Sequence, residues 1–150
     1  MTPADPGYAQ RVHDSFSRQA VMRTLGATLD VVEPGHVVIA MHHRPELTQQ
    51  HGFLHAGIVS TALDSACGYA GFSLMPADAA VLTVEFKVNL LAPARGPWFR
   101  FEGHVAKAGR TISVVEGRAM QHEAGADAQT LVATMTATIM TVRGREGIRH

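Results

Sequence analysis

The sequence predicts an α+β fold in which one antiparallel sheet wraps around a single long central helix. Three observations carry that prediction. Residues 56–75 form a proline-free stretch, apolar on nearly every side, and a helix that is apolar all round is normally buried. Directly after it the apolar period switches to two, over Leu82, Val84, Phe86, Val88 and Leu90. The remaining segments are short, rich in β-branched residues and separated by turn signals. A chain of 150 residues fits one domain, here 1–150 with a core over about 20–142. It can bury a real core without a metal or disulfide.

In chain order, Val12, Phe16, Ala20 and Val21 recur at near-helical spacing between polar residues, so 8–22 reads as a short amphipathic helix. Leu25 to Val32 and His36 to His42 are predicted strands, split by the turn Glu33-Pro34-Gly35. Val37, Ile39 and Met41 would share one face of the second. Residues 44–54 are polar and contain a proline, which marks a loop. The central helix runs from Ala56 towards Met75, about 28 Å at the helical rise, and stops at Pro76. The strand over 82–90 ends at Pro93 to Pro97. Two further strands, 98–106 and 111–121, are joined by a tight turn at Lys107-Ala108-Gly109-Arg110. Residues 123–129 form a polar loop. Leu131, Ala133, Met135, Ala137 and Ile139 then alternate mainly with threonines, giving a last strand, and 143–150 is a charged tail expected to fray.

Composition excludes several classes. Lys plus Arg and Asp plus Glu balance at 13 each, so the basic excess of a nucleic-acid binder is missing. The charged share of 17% lies below the usual ~25%, which hints at surface hidden in a homo-oligomer. One cysteine rules out an intrachain disulfide and suits a reducing compartment. The N-terminus MTPADPGYAQ has no apolar signal core and no apolar run approaches the ~18 residues of a membrane span, so a soluble, cytoplasmic protein is expected.

Between Leu47 and Ala77 the only Asp, Glu, Lys or Arg is Asp64, embedded in the most apolar helix. A carboxylate there is costly unless it has partners, and perturbed acids cluster at functional sites. Asp64 is either a working acid or a structural one bonded to backbone or interface groups. His55-Ala56-Gly57 stands at the start of the same helix, where free N–H groups carry partial positive charge and can receive an oxyanion. Gly57 either lets a ligand approach that backbone or only eases the chain into a buried helix. Gln49, in the polar run Gln49-Gln50-His51, can offer an amide to a carbonyl oxygen or belong to a plain surface loop. Thr83 can hold a water or serve as a solvent-facing β-former.

Other constellations fail. Five histidines fall between His36 and His55, yet no metal-ligand spacing appears, so no metal is expected. There is no G-x-S-x-G elbow and no glycine-rich phosphate loop. Cys67 lies three residues after Asp64, which would raise its pKa, and reads as a core thiol.

The stretch His51-Gly52-Phe53-Leu54-His55-Ala56-Gly57, followed by Leu63-Asp64-Ser65-Ala66, resembles the hotdog-fold acyl-CoA thioesterases, and within them the phenylacetate-pathway (PaaI-like) branch. Leu82-Thr83-Val84-Glu85-Phe86-Lys87-Val88-Asn89-Leu90-Leu91-Ala92-Pro93-Ala94 resembles that family's strand and its terminating proline. The resemblance implies two subunits joined edge to edge, dimers that pair into a homotetramer, and active sites at the dimer interface. It implies Asp64 as catalytic acid, Gln49 as a holder of the substrate carbonyl, and the Ala56 and Gly57 N–H groups as polarisers of the thioester, with His55 beside them. Thr83 would position the nucleophilic water from across the interface. Ala56 departs from the Gly of many members, which trims the room beside the thioester.

The implied reaction is hydrolysis of a small aliphatic or aryl-acyl CoA. Charge on the carbonyl oxygen would be stabilised by the helix start, and Asp64 would act either as general base or by direct attack. No cofactor is expected, coenzyme A entering as part of the substrate. Arg95, Lys107 and Arg110, at strand ends, are the cations available for its phosphates, or are ordinary solvated turn residues. Two rival readings stand beside hydrolysis: a hotdog hydratase or dehydratase using His55 with an acid, and a non-catalytic acyl-CoA binding or sensing module.

Overall fold

The computed structural model describes residues 1–150 apart from 124, 126, 127, 146, 149 and 150. Helices α1 (Tyr8–Arg18) and α2 (Ala20–Leu25) come first, then strands β1 (Thr28–Glu33) and β2 (His36–His42). A single 3-10 turn, Pro45–Leu47, precedes the central helix α3 (Ala56–Phe72). Four strands follow: β3 (Ala79–Leu90), β4 (Trp98–Lys107), β5 (Ile112–His122) and β6 (Gln129–Arg143). The predicted loop 123–129 and tail 143–150 lie partly outside the described residues.

All six strands form one antiparallel sheet in the order β1-β2-β4-β5-β6-β3. Its concave face holds α3, giving the α+β hotdog arrangement that the sequence predicts. Val37, Ile39, Phe99, Phe101, Val115, Ala119, Ala133, Met135, Ala137 and Ile139 are buried against Leu63, Ala66, Cys67 and Ala70 of the helix. No helix among the described residues is long and apolar enough to cross a membrane.

The helix lies close to the sheet because two glycines face each other beneath it. Gly103 of β4 pairs with Gly117 of β5. A Cβ on Gly103 would meet the Ala66 carbonyl oxygen at 2.4 Å, and one on Gly117 would meet Cys67 Sγ at 2.9 Å. The far end of α3 is held by Arg11 of α1. Its guanidinium donates to the carbonyls of Phe72 (3.3 Å), Met75 (2.7 Å) and Pro76 (2.5 Å) and stands over the Phe72 ring. A cation at a helix C-terminus is favoured by the helix dipole and satisfies carbonyls that have no partner in the helix.

The structure departs from the prediction in three places that position the site. The helix expected over 8–22 is two helices, broken at Gln19, whose ψ of 98° is extended. Leu25, expected to open the first strand, instead belongs to the second helix together with Met22, and Gly26 ends it with φ 65°. Strand β3 carries a bulge between Thr83 and Glu85. Thr83 pairs with buried Ile139, whereas Phe86, Val88 and Leu90 pair with buried Ala137, Met135 and Ala133. Opposed residues of an antiparallel pair share a face. Thr83 therefore points to the helix side together with Phe86, Val88 and Leu90, and the strict alternation of the sequence is split by the bulge.

Candidate active site

Helix α3 is covered along most of its length but leaves one stripe open, running through Gly57, Ser60, Thr61 and Asp64. These positions recur at three- and four-residue spacing, so they fall on one face. The stripe begins at the helix start and ends at the carboxylate, about 10 Å along the axis. Edge strand β3 borders it and is itself uncovered: Phe86 is 43% exposed and Leu90 54%, although both point to the helix side.

Asp64 is half-buried. The Thr83 hydroxyl donates to its Oδ1 at 2.8 Å, the one hydrogen bond it receives from the described residues, so Oδ2 stays free. Burial raises its pKa above the ordinary carboxylate value, and the Thr83 hydrogen bond opposes that rise. A cavity of about 140 Å³ lies beside it, lined by Gln19, Asp64, Ser65, Gly68, Tyr69, Val81 and Thr83. Thr83 and Asp64 are thus hydrogen-bond partners within one chain. The bulge that turns Thr83 to the helix side is the physical reason.

A second, larger cleft of about 520 Å³ opens at the helix start. Gln49, Gln50, Phe53, Leu54, His55 and Ala56 line it on one side, and Leu90 to Ala94 with Val132 on the other. Gln49 accepts a hydrogen bond from the His51 N–H through Oε1, which leaves its NH2 group as the donor face. The N–H of Gly57 is engaged: it donates to the Nδ1 of His55 at 2.9 Å. Sequence spacing does not show this cap, because it depends on the ring orientation of His55. The Ala56 N–H makes no hydrogen bond to a described residue.

The two halves of the predicted site therefore occupy separate cavities in one chain, Asp64 and Thr83 in one and Gln49, His55 and Ala56 in the other. The candidate cations are also separated. Arg95 sits at the larger cleft's end of the sheet, its guanidinium 4.9 Å from the centre of the Phe53 ring. Lys107 ends β4 on the opposite side and Arg110 follows it, the strand's ten residues spanning roughly 30 Å at the rise of a strand. No cluster of three or more metal-ligating side chains occurs among the described residues. Cys67 is fully buried and its thiol is pushed up to about 12, chiefly by burial and then by the charge of Asp64, so it is no nucleophile. Gln19 and Tyr69, both beside Asp64, were not foreseen; nothing in the local pattern of 8–22 marks a break at Gln19.

Residues 51–126 match the profile of the Thioesterase superfamily. A solved structure of a thioesterase family protein from Silicibacter pomeroyi is 59% identical, with a TM-score of 0.89, covering 92% of this chain and 100% of that one. The PaaI protein from the phenylacetic acid degradation operon of E. coli shares the fold at a TM-score of 0.83 and 18% identity, covering 94% and 97%. A Saccharolobus solfataricus protein named "Putative esterase" is 38% identical over 86 residues, which are 57% of this chain and 60% of that relative's length. With half of its residues matched by the profile and an architecture of the same kind, the chain belongs to the thioesterase superfamily.

Proposed function

We propose that the protein hydrolyses an acyl-CoA thioester, with a small aliphatic or aryl acyl group, in active sites shared between two copies of the chain. The observation that carries this reading is the pair of half-sites flanking one uncovered edge strand. A carboxylate with a free oxygen and room for water lies beside Thr83, near the middle of β3, and a helix start with an apolar cleft lies at the Leu90 end. Pairing β3 with a second β3, antiparallel and centred between Phe86 and Lys87, brings Leu90 of each copy opposite Thr83 of the other. That pairing covers Phe86, Val84 and Leu90 and completes both sites. Pairing of such dimers would give the homotetramer.

In the completed site the thioester carbonyl oxygen sits at the start of α3, close to the Ala56 N–H and the Gln49 NH2 group. The Gly57 N–H joins them once the His55 ring rotates off it. Preorganised donors of this kind are each worth about 10²–10³ in rate. Water beside Asp64 loses a proton to Oδ2 as its oxygen bonds to the carbonyl carbon. The tetrahedral intermediate then expels the CoA thiolate, breaking the C–S bond, and the thiolate regains a proton. The cavity beside Oδ2 supports activation of water over direct attack by the carboxylate. Arg95, stacked over Phe53 of the cleft, meets a CoA phosphate in this reading, while Lys107 and Arg110 reach one only from a second copy. The chemistry needs no resident cofactor, and a single buried thiol suits the cytoplasm.

The test is thiol release over a panel of aliphatic and aromatic acyl-CoAs by the wild type and Asp64→Asn. Turnover by the wild type, lowered about 10²–10⁴-fold in the variant, is expected of a general base. Wild-type rates in the folded variant would refute the role, and binding without turnover on every substrate would refute the activity.

A further inference from the structure

The cavity beside Asp64 has a third wall that the reaction scheme has not used. Gln19 is the residue at which α1 and α2 break, and the extended backbone there turns its side chain towards α3. The Tyr69 hydroxyl donates to Gln19 Oε1 at 3.2 Å and also meets Ser15 Oγ at 3.3 Å. With Oε1 held, the NH2 group faces α3, where one hydrogen goes to Ser65 Oγ at 3.3 Å. An amide nitrogen has two hydrogens, so one remains for the cavity.

The other walls offer less. The Thr83 hydroxyl hydrogen is committed to Asp64, the Tyr69 hydroxyl hydrogen to Gln19, and Ser65 Oγ already accepts from Gln19, while Val81 is apolar and Gly68 contributes no side chain. A cavity of about 140 Å³ holds a few waters at about 30 Å³ each, and an ordered water needs two or more polar partners. The Asp64 Oδ2 and the second Gln19 N–H are complementary partners, one accepting from a water and one donating to it.

We infer that Gln19, its amide locked by Tyr69, is a positioning residue that shares with Asp64 the water held in this cavity. The inference rests on the proposed hydrolysis for its consequence. The water gives one hydrogen to Asp64 and receives one from Gln19, which leaves a single lone pair directed out of the cavity. The titratable groups on the cavity wall are Asp64 and Tyr69 of α3, with buried Cys67 feeling the charge of Asp64, Arg18 of α1 acting on Tyr69, and only the neutral Thr83 from β3.

The experiment uses the full chain with Gln19→Leu, Gln19→Glu and Tyr69→Phe. Carbon-13 NMR follows the Asp64 carboxyl titration, and steady-state kinetics follow acyl-CoA turnover. In Gln19→Glu the Asp64 midpoint moves up, because two carboxylates then share one cavity. In Gln19→Leu, kcat falls roughly tenfold, the effect of one hydrogen bond, while KM holds. Tyr69→Phe lowers kcat in the same direction and serves if Gln19→Glu does not fold. A purely structural Gln19 would change thermal stability and leave kcat of the folded Gln19→Leu and Tyr69→Phe chains at the wild-type value. An unmoved midpoint in folded Gln19→Glu, or a wild-type kcat in Gln19→Leu, overturns the inference. A wild type that turns over no acyl-CoA removes the hydrolase reading alone, since the Asp64 titration still decides whether Gln19 faces that carboxylate.

Discussion

At the scale of single residues, Asp64 works against stability. Its pKa is raised in the fold, chiefly by burial, so between the unfolded and folded values the folded chain binds more protons than the unfolded one. Stability from this group is fully present below the unfolded value and is lost as pH rises through the folded value. Asp64→Asn is therefore expected to melt at a higher temperature than the wild type at neutral pH. The difference should vanish in acid, where both side chains are neutral. A melting series against pH checks this, and an equal or lower melting point for the variant at pH 7 contradicts it. The same raised pKa places the acid limb of kcat/KM above the range of an exposed aspartate. Asp64 was legible in the sequence because it is the only charge in thirty-one residues of apolar chain, 47–77. Gln19 was not, since a glutamine inside a helical period carries no mark of the backbone break that aims it.

Among elements, the seating of α3 decides how Asp64 meets its cavity. Gly68 stands one turn after Asp64 and lines the same cavity, and a Cβ there would meet nothing within 4 Å. Gly68→Ala should then raise stability by about 1 kcal/mol through helix propensity while lowering turnover, because the methyl takes space from the water. Urea unfolding with a turnover assay tests the pair; a gain or no change in turnover contradicts the placement of water there. Gly103→Ala has the opposite sign. Its Cβ would press on the Ala66 carbonyl oxygen, a backbone atom that cannot rotate aside, and overpacking of that kind costs roughly 1–3 kcal/mol. A loss below 0.5 kcal/mol in the same unfolding experiment would show that α3 is not tightly seated, about the size of a neutral surface change. The central helix and strand β2 were readable from period and composition, since packing and periodicity agree there. The bulge in β3 was not, because no glycine or proline marks it and every residue obeys the alternation that it interrupts.

At the scale of the molecule, the order β1-β2-β4-β5-β6-β3 leaves β3 as a twelve-residue edge with apolar side chains exposed. Long apolar edges invite pairing with another chain. The fold class was visible in the sequence, since alternation and one buried helix permit few architectures. The division of the site was not visible, because residues eight apart on one helix give no sign that they open into different cavities. The most direct test is complementation. Asp64→Asn, and Gly57→Pro to remove a helix-start donor, are each expected to be inactive alone. Co-expressed and randomly paired, they should recover about a quarter of wild-type activity, since half the dimers are mixed and each mixed dimer has one intact site of two. Full loss of activity in the mixed preparation, with mixed dimers shown to form, would contradict a site shared between copies.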